Sequence, residues 1–138
     1  MKKIMFILAM LASSFAMQAQ ESESPQVAFL NAFYKTLQRD LLDYNYVKGN
    51  VTPKAYQQLV DGYDYDCEGE CLATWMFLYE AGGDTGAMEN KEIKEIDANT
   101  YSVKCIYEGY EYVVELKLVE EGNTYKIDNI KMISSEYF

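Results

Sequence analysis

The segment from residue 64 to residue 70 carries residue types at a spacing that could bind a metal ion. Asp64, Asp66 and Glu68 occupy alternate positions and Gly69 takes the sixth, as in the first half of a calcium-binding EF-hand loop. The twelfth position, where that loop needs a bidentate glutamate, is Trp75. The pattern therefore predicts a solvated acidic linker. A calcium loop of another type at Asp64, Asp66 and Glu68 is the alternative.

Aromatic side chains form a second candidate site. The chain has 13 tyrosines and one tryptophan, and several share one face of the predicted strands or lie on helices expected to cover it. Phenol rings can stack on a sugar or an aromatic ligand while their hydroxyls orient it. The residues chosen for such a pocket are Tyr34, Trp75, Tyr101, Tyr107 and Tyr112. The pattern itself favours plain core packing, since aromatic residues suit strands, and the ligand pocket is the alternative.

Acid–base chemistry is restricted because the sequence contains no histidine. This excludes histidine-dependent triads, histidine general bases and the commonest zinc and iron sites. Asp128 is a carboxylate that could act as a buried general base. Its phase is opposite to that of Tyr125 and Ile127, so we expect it on the surface or at a bulge. We assign no catalytic residue and no cofactor.

Three cysteines, Cys67, Cys71 and Cys105, leave at least one thiol free or paired between chains. A helix over 67–71 would hold the first two too far apart for a disulfide, whereas a loop would permit one. A bridge from either of them to Cys105 would close a long loop. Cys105 can equally be a small buried apolar residue, and the sequence leaves these pairings open.

The net charge of the chain is −10, from 22 acidic and 12 basic residues. A surface this negative repels phosphate backbones and anionic membranes. We therefore expect no nucleic-acid partner and no membrane association of the mature protein. A small-molecule ligand and a second copy of the chain are the partners left to consider.

The first 19 residues have the pattern of an export signal. Lys2 and Lys3 give a positive start, an apolar run follows over 4–12, and small residues precede Gln20. The run is shorter than the about 20 apolar residues of a transmembrane helix. We expect a signal peptide at 1–19, one mature domain at 20–138, and a periplasmic or secreted location.

Two helices are predicted by start signals that pair a capping residue with proline. Ser24-Pro25 begins the first, whose apolar residues recur at spacings of three and four. We expect it to end within 42–46. Thr52-Pro53 begins a second helix through about Val60, and a third helical face runs over 72–79.

After residue 90 the apolar pattern changes from helical to alternating. It predicts strands over 91–96, 101–107 and 110–118, and a last strand from Tyr125 whose phase slips near Asp128. That slip predicts a β-bulge or a bend near Asp128-Asn129. Helices followed by an antiparallel meander predict an α+β fold.

Three short motifs stand out beside the predicted strand pairs: Phe33-Tyr34, Val51-Thr52-Pro53-Lys54 and the closing Thr124-Tyr125-Lys126-Ile127-Asp128-Asn129-Ile130. Together they resemble the nuclear-transport-factor-2-like superfamily, and more narrowly its small exported bacterial proteins of unknown function. The resemblance covers most of 25–133. It implies N-terminal helices packed on a curved antiparallel sheet, a cone with a pocket at its open end. It implies no reaction, because the catalytic motifs of ketosteroid isomerases and scytalone dehydratases match no positions here.

The sequence favours an exported, non-catalytic binding or interaction module that holds a small apolar or carbohydrate-like ligand in the cone pocket. The first alternative is a cofactor-independent isomerase or dehydratase, which would need a carboxylate inside the cone. The second is a homodimer through the outer face of the sheet, where Ile106, Val113 and Val119 have the outward phase.

Overall fold

A computed structural model describes residues 23–78 and 88–137 of the chain. The predicted signal peptide at 1–19 lies outside the described residues. Within them the chain forms four helices and then four strands. The helices are α1 (Pro25–Arg39), α2 (Tyr44–Gly49), α3 (Pro53–Asp61) and α4 (Trp75–Leu78); the strands are β1 (Asn90–Asp97), β2 (Thr100–Tyr107), β3 (Tyr110–Glu121) and β4 (Thr124–Tyr137).

Two helix starts were predicted correctly. The Ser24 side chain accepts a hydrogen bond from the Val27 amide at 3.2 Å, and Thr52 accepts one from the Ala55 amide at 3.3 Å. Each proline lies in the first turn of its helix, where a backbone N–H would have no hydrogen-bond partner within the helix. The longest described helix has 15 residues, and none in the described part of the chain is long and apolar enough to cross a membrane.

The predicted end of the first helix was wrong. It ends at Arg39, and a separate short helix begins at Tyr44. The cause is two aspartates that compete for backbone amides: Asp40 accepts from the Leu42 amide at 3.0 Å, and Asp43 accepts from the Tyr46 amide at 3.2 Å.

The four strands form one antiparallel sheet in the order β1-β2-β3-β4. Alternate residues of β2 are buried, as the alternating sequence predicted: Tyr101, Val103, Cys105 and Tyr107. The inward residues of β3, with Ile127 and Ile130 of β4, continue this buried face, and the helices pack on it to form a single hydrophobic core. The α+β fold is therefore confirmed.

The predicted bulge is present at Asp128. Lys117 pairs with Asn129 while Leu118 pairs with Ile127, so Asp128 is the extra residue of β4. A second register shift, which the sequence analysis missed, leaves Ile133 extra.

The start of α3 is held against the edge strand of the sheet. The Ile127 amide donates to the Asn50 carbonyl and the Thr52 amide donates to the Ile127 carbonyl, both at 2.9 Å. The residues before α3 thus cover part of the β4 edge, which fixes where the helix and the loop after it lie.

Candidate functional site

Three of the predicted site tyrosines surround the short helix α4. Tyr112 donates a hydrogen bond to the Met76 carbonyl and Tyr34 to the Phe77 carbonyl, each at 2.6 Å, and Tyr107 donates to the Leu78 carbonyl. The last carbonyls of any helix lack partners within that helix. These three hydroxyls satisfy successive carbonyls of α4 from three different elements.

All three of these tyrosines are buried. Burial raises the pKa of Tyr34 well above its ordinary value, so this hydroxyl keeps its proton and stays a donor. Tyr101 is buried on the same face of the sheet, but its hydroxyl lies 3.4 Å from a carboxylate oxygen of Glu95. We call Tyr34, Tyr107 and Tyr112 the inner tyrosines.

The cysteines adopt the local pairing among the alternatives left open. Cys67 and Cys71 form a disulfide with their Cα atoms 6.3 Å apart, because the segment between them is a loop. Cys105 is free and buried in the core, with its Sγ 3.8 Å from the Phe77 carbonyl oxygen. Burial raises its pKa to about 12, so the thiol is neutral.

Asp128 lies at the bulge, as predicted. Its Oδ1 accepts a hydrogen bond from the Thr52 hydroxyl at 2.9 Å. The carboxylate therefore joins β4 to the residue that caps α3.

A surface cleft of about 450 Å³ lies between α3 and the disulfide loop. We call it the outer cleft. Its lining combines three tyrosine rings, one valine, two carboxylates and the loop itself: Tyr56, Val60, Tyr63, Tyr65, Asp66, Cys67, Gly69, Glu70 and Cys71. Its volume falls in the range of small-molecule sites.

The outer cleft is built by α3 and the chain that follows it. Tyr56 and Val60 lie four residues apart on α3 and so share one side of the helix. Gly62 then permits close packing, since a Cβ there would lie 3.3 Å from the Ala73 Cβ and 2.7 Å from the Met76 Sδ. This contact brings the start of α4 beside the residues that follow α3.

Trp75 is separated from the inner tyrosines, with which the sequence analysis had grouped it. Its ring centroid lies 5.3 Å from that of Tyr63 and 6.0 Å from that of Tyr65. The two tyrosine rings lie 5.9 Å apart. The half-buried tryptophan therefore supports two of the rings that line the outer cleft.

A lysine already contacts two of the residues that line the outer cleft. The Lys48 Nζ lies 3.5 Å from a carboxylate oxygen of Glu70 and 5.5 Å from the centre of the Tyr56 ring. Desolvation raises the pKa of Tyr56, and hydrogen bonding to Glu70 and the negative charge of Glu70 raise it further, while Lys48 lowers it. The Tyr56 hydroxyl is thus a donor next to a carboxylate.

A second cleft of about 440 Å³ adjoins the first through Glu70. Asp40 and Asp43 also line it, together with Leu42, Tyr44 and Asn45. Carboxylates therefore face both clefts, and Glu70 is common to the two.

Asp64, Asp66 and Glu68 are all exposed. In residues 23–78 and 88–137, no group of three or more cysteine, aspartate or glutamate side chains is placed to hold a metal ion. Of the three predicted calcium ligands, Asp66 lines the outer cleft.

The sequence analysis missed Tyr56, Tyr63, Tyr65 and Glu70 as site residues. A usable signal was present: Tyr56 and Val60 at helical spacing, then two more tyrosines immediately before a pair of cysteines four residues apart. The missing information was that the Cys67–Cys71 bridge would fold the loop back toward α3.

The chain was compared with protein-family models, with curated proteins and with solved structures, and no match was found in any of the three comparisons.

Proposed function

We propose that the protein is an exported, non-catalytic binding module that binds a small carbohydrate-like ligand in the outer cleft. We further propose that the sheet curves around the helices as the cone that the resemblance to the nuclear-transport-factor-2-like superfamily implies. The Cys67–Cys71 disulfide supports export, because disulfides persist in oxidising compartments.

The lining of the outer cleft is the observation that carries this proposal. A sugar ring has flat apolar faces and a rim of hydroxyls. Tyr63 and Tyr65 offer rings for the faces, while Asp66 and Glu70 offer oxygens that accept hydrogen bonds from the hydroxyls. Aromatic surface with a few converging polar groups is the usual composition of a small-ligand site.

The position of the site differs from the one first expected. The hydroxyls of the inner tyrosines donate to backbone carbonyls of α4, so orienting a ligand would require giving up those bonds. Binding rather than catalysis is favoured because Asp128, the carboxylate considered as a base, bonds to Thr52 at the bulge.

Tryptophan fluorescence tests the proposal directly, because Trp75 is the single tryptophan of the chain and contacts Tyr63 and Tyr65. The mature protein would be titrated with a panel of neutral and amino disaccharides. We expect a saturable change in Trp75 emission for at least one of them.

The matched variants are Tyr65→Ala in the outer cleft and Tyr137→Ala on β4, two tyrosines that are 72% and 79% exposed. Tyr65→Ala should weaken binding at least about threefold through lost stacking, and Tyr137→Ala should leave it unchanged. The absence of a saturable response across the panel, or equal affinities of the two variants, would refute the outer cleft as the binding site.

A homodimer through the outer sheet face is a second candidate. Ile106, Val113 and Val119 are half-buried on that face. Native mass spectrometry of the mature protein would show a dimer. A Val113→Glu variant that remains dimeric would exclude this face as the interface.

A further inference from the structure

We infer that the ligand of the outer cleft is an amino sugar, whose ammonium group binds between the Glu70 carboxylate and the Tyr56 ring. In the free protein Lys48 holds that place. This inference rests on the proposed function and names the class of ligand.

The geometry around Lys48 shows that a cation fits beside two residues that line the cleft. Its ammonium group lies 3.5 Å from an oxygen of Glu70 and over the ring of Tyr56, 5.5 Å from the ring centre. A carboxylate and an aromatic face are the two partners that stabilise a primary ammonium group most directly.

The Lys48 contact is weak enough to be displaced. The side chains of Lys48 and Glu70 are 56% and 42% exposed, and ion pairs between exposed side chains contribute little to stability. A ligand ammonium that is fixed to a ring already stacked in the cleft loses less conformational freedom than the long lysine side chain. It can therefore take the place of Lys48.

The surrounding charge favours a cationic ligand over a neutral or acidic one. Asp66 lines the same cleft, and Asp40 and Asp43 line the adjoining one that shares Glu70. The chain as a whole carries a net charge of −10. Carboxylates on both sides of Glu70 concentrate cations at this point of the surface.

A pair of sugars that differ only in the acetylation of their amines tests the inference. The first is the β-1,4-linked disaccharide of glucosamine, in mildly acidic buffer that keeps its amines protonated. The second is the same disaccharide with both amines acetylated. We expect the amine form to bind at least about tenfold more tightly, as charge-assisted hydrogen bonds do relative to neutral ones.

Two carboxylates of the disulfide loop give a matched pair of variants. Glu70→Gln removes the carboxylate beside Lys48 and should abolish the preference for the amine form. Glu68→Gln makes the same change at an exposed position of the loop outside the cleft lining, and the preference should persist.

A pair of lysine variants tests the displacement of Lys48. Lys48→Met removes the internal competitor and should raise the affinity for the amine form roughly two- to fivefold. Lys54→Met removes the same charge from an exposed position of α3 and should leave the affinity unchanged.

Each outcome decides one point. Equal binding of the acetylated and amine forms overturns the inference and leaves the proposed function standing. Binding of a tetralysine peptide without binding of the amino sugar also overturns it, in favour of a protein partner. No response to any sugar refutes the proposed function itself.

Discussion

The inner tyrosines and the tyrosines of the outer cleft are the same residue type in opposite roles. Tyr34 and Tyr112 have buried rings and hydroxyls that donate to backbone carbonyls of α4. Tyr63 is half-buried and Tyr65 is exposed; their rings contact one another and Trp75 in edge-on or tilted geometry, and both residues line the outer cleft. A buried tyrosine whose hydroxyl bonds to the backbone thus has a structural role, whereas a tyrosine that lines a cleft can contact a ligand.

The inner tyrosines hold α4 in its position. A helix of four residues has little stability of its own, because nucleation is costly and few internal hydrogen bonds form. Instead, tyrosine hydroxyls from α1, β2 and β3 donate hydrogen bonds to its carbonyl groups. Since α4 begins with Trp75, the inner cluster also determines where the support of the outer cleft lies.

The largest expected effect is a difference in stability between the two regions. Tyr34→Ala should lower the free energy of unfolding by about 3–5 kcal/mol, through the cavity left by a buried aromatic ring. Tyr65→Ala, at a side chain that is 72% exposed, should change it by less than about 0.5 kcal/mol. Urea denaturation of the two variants measures both values, and similar losses would remove the distinction.

The disulfide should matter for the cleft more than for the core. Replacing Cys67 and Cys71 by serine should cost about 2 kcal/mol, the entropic contribution of a loop closed over a separation of four residues. The same variant should lose the ligand response of Trp75, because Cys67 and Cys71 line the outer cleft. As a control, Cys105→Ala leaves the disulfide intact and should keep that response. If the disulfide-free variant still binds the ligand, the disulfide is not needed for the binding site.

Removing one inner hydroxyl alone should have a smaller effect. Tyr34→Phe keeps the ring and removes the donor to the Phe77 carbonyl, which is also approached by the Cys105 Sγ at 3.8 Å. We expect a loss of about 1 kcal/mol, at the low end for a buried acceptor that loses a partner. Tyr65→Phe should be neutral in the same denaturation experiment. A neutral Tyr34→Phe would mean that the hydroxyl does not help to hold α4.

An effect of similar size to that of Tyr34→Phe is a dependence on alkaline pH. Burial raises the pKa of Cys105 to about 12 in the folded state, against about 8.5 for an ordinary cysteine in the unfolded chain. The unfolded state therefore loses its proton first, and stability is intact below about pH 8.5 and falls above it.

Between about pH 8.5 and 9.5 this thiol should lower the free energy of unfolding by about 1 kcal/mol. The buried Tyr34 acts in the same direction at higher pH, because its pKa is also raised. Cys105→Ala should flatten the fall between about pH 8.5 and 9.5. An equally steep fall in that variant would assign the effect to other groups.

Much of the fold was predictable because its signals are local. Ser24 and Thr52 cap helices with amides three residues away, and the buried face of β2 follows strict alternation. The change of phase in the apolar alternation near Asp128 pointed to an irregularity of the last strand, and the structure has a bulge there. The end of α1 was missed because Asp40 and Asp43 bind amides two and three residues away, a local competition that periodicity does not reveal.

The candidate site was less predictable because it depends on contacts between distant residues. Tyr34 and Phe77 are 43 residues apart, and Tyr112 and Met76 are 36 apart. Nothing in the local pattern of these tyrosines says that their hydroxyls meet a helix terminus. The outer cleft likewise depends on how the disulfide loop lies against α3. The calcium ligands and the homodimer stay predictions.

The measurement that tests the central claim most directly is an NMR titration of the mature protein with ¹³C-labelled tyrosine rings. The glucosamine disaccharide is the ligand, and single Tyr→Phe variants assign the ring signals. The account predicts that the signals of Tyr56, Tyr63 and Tyr65 shift while those of Tyr34 and Tyr112 stay in place. Shifts in Tyr34 and Tyr112 without shifts in the outer cleft would contradict it and return the site to the interior of the fold.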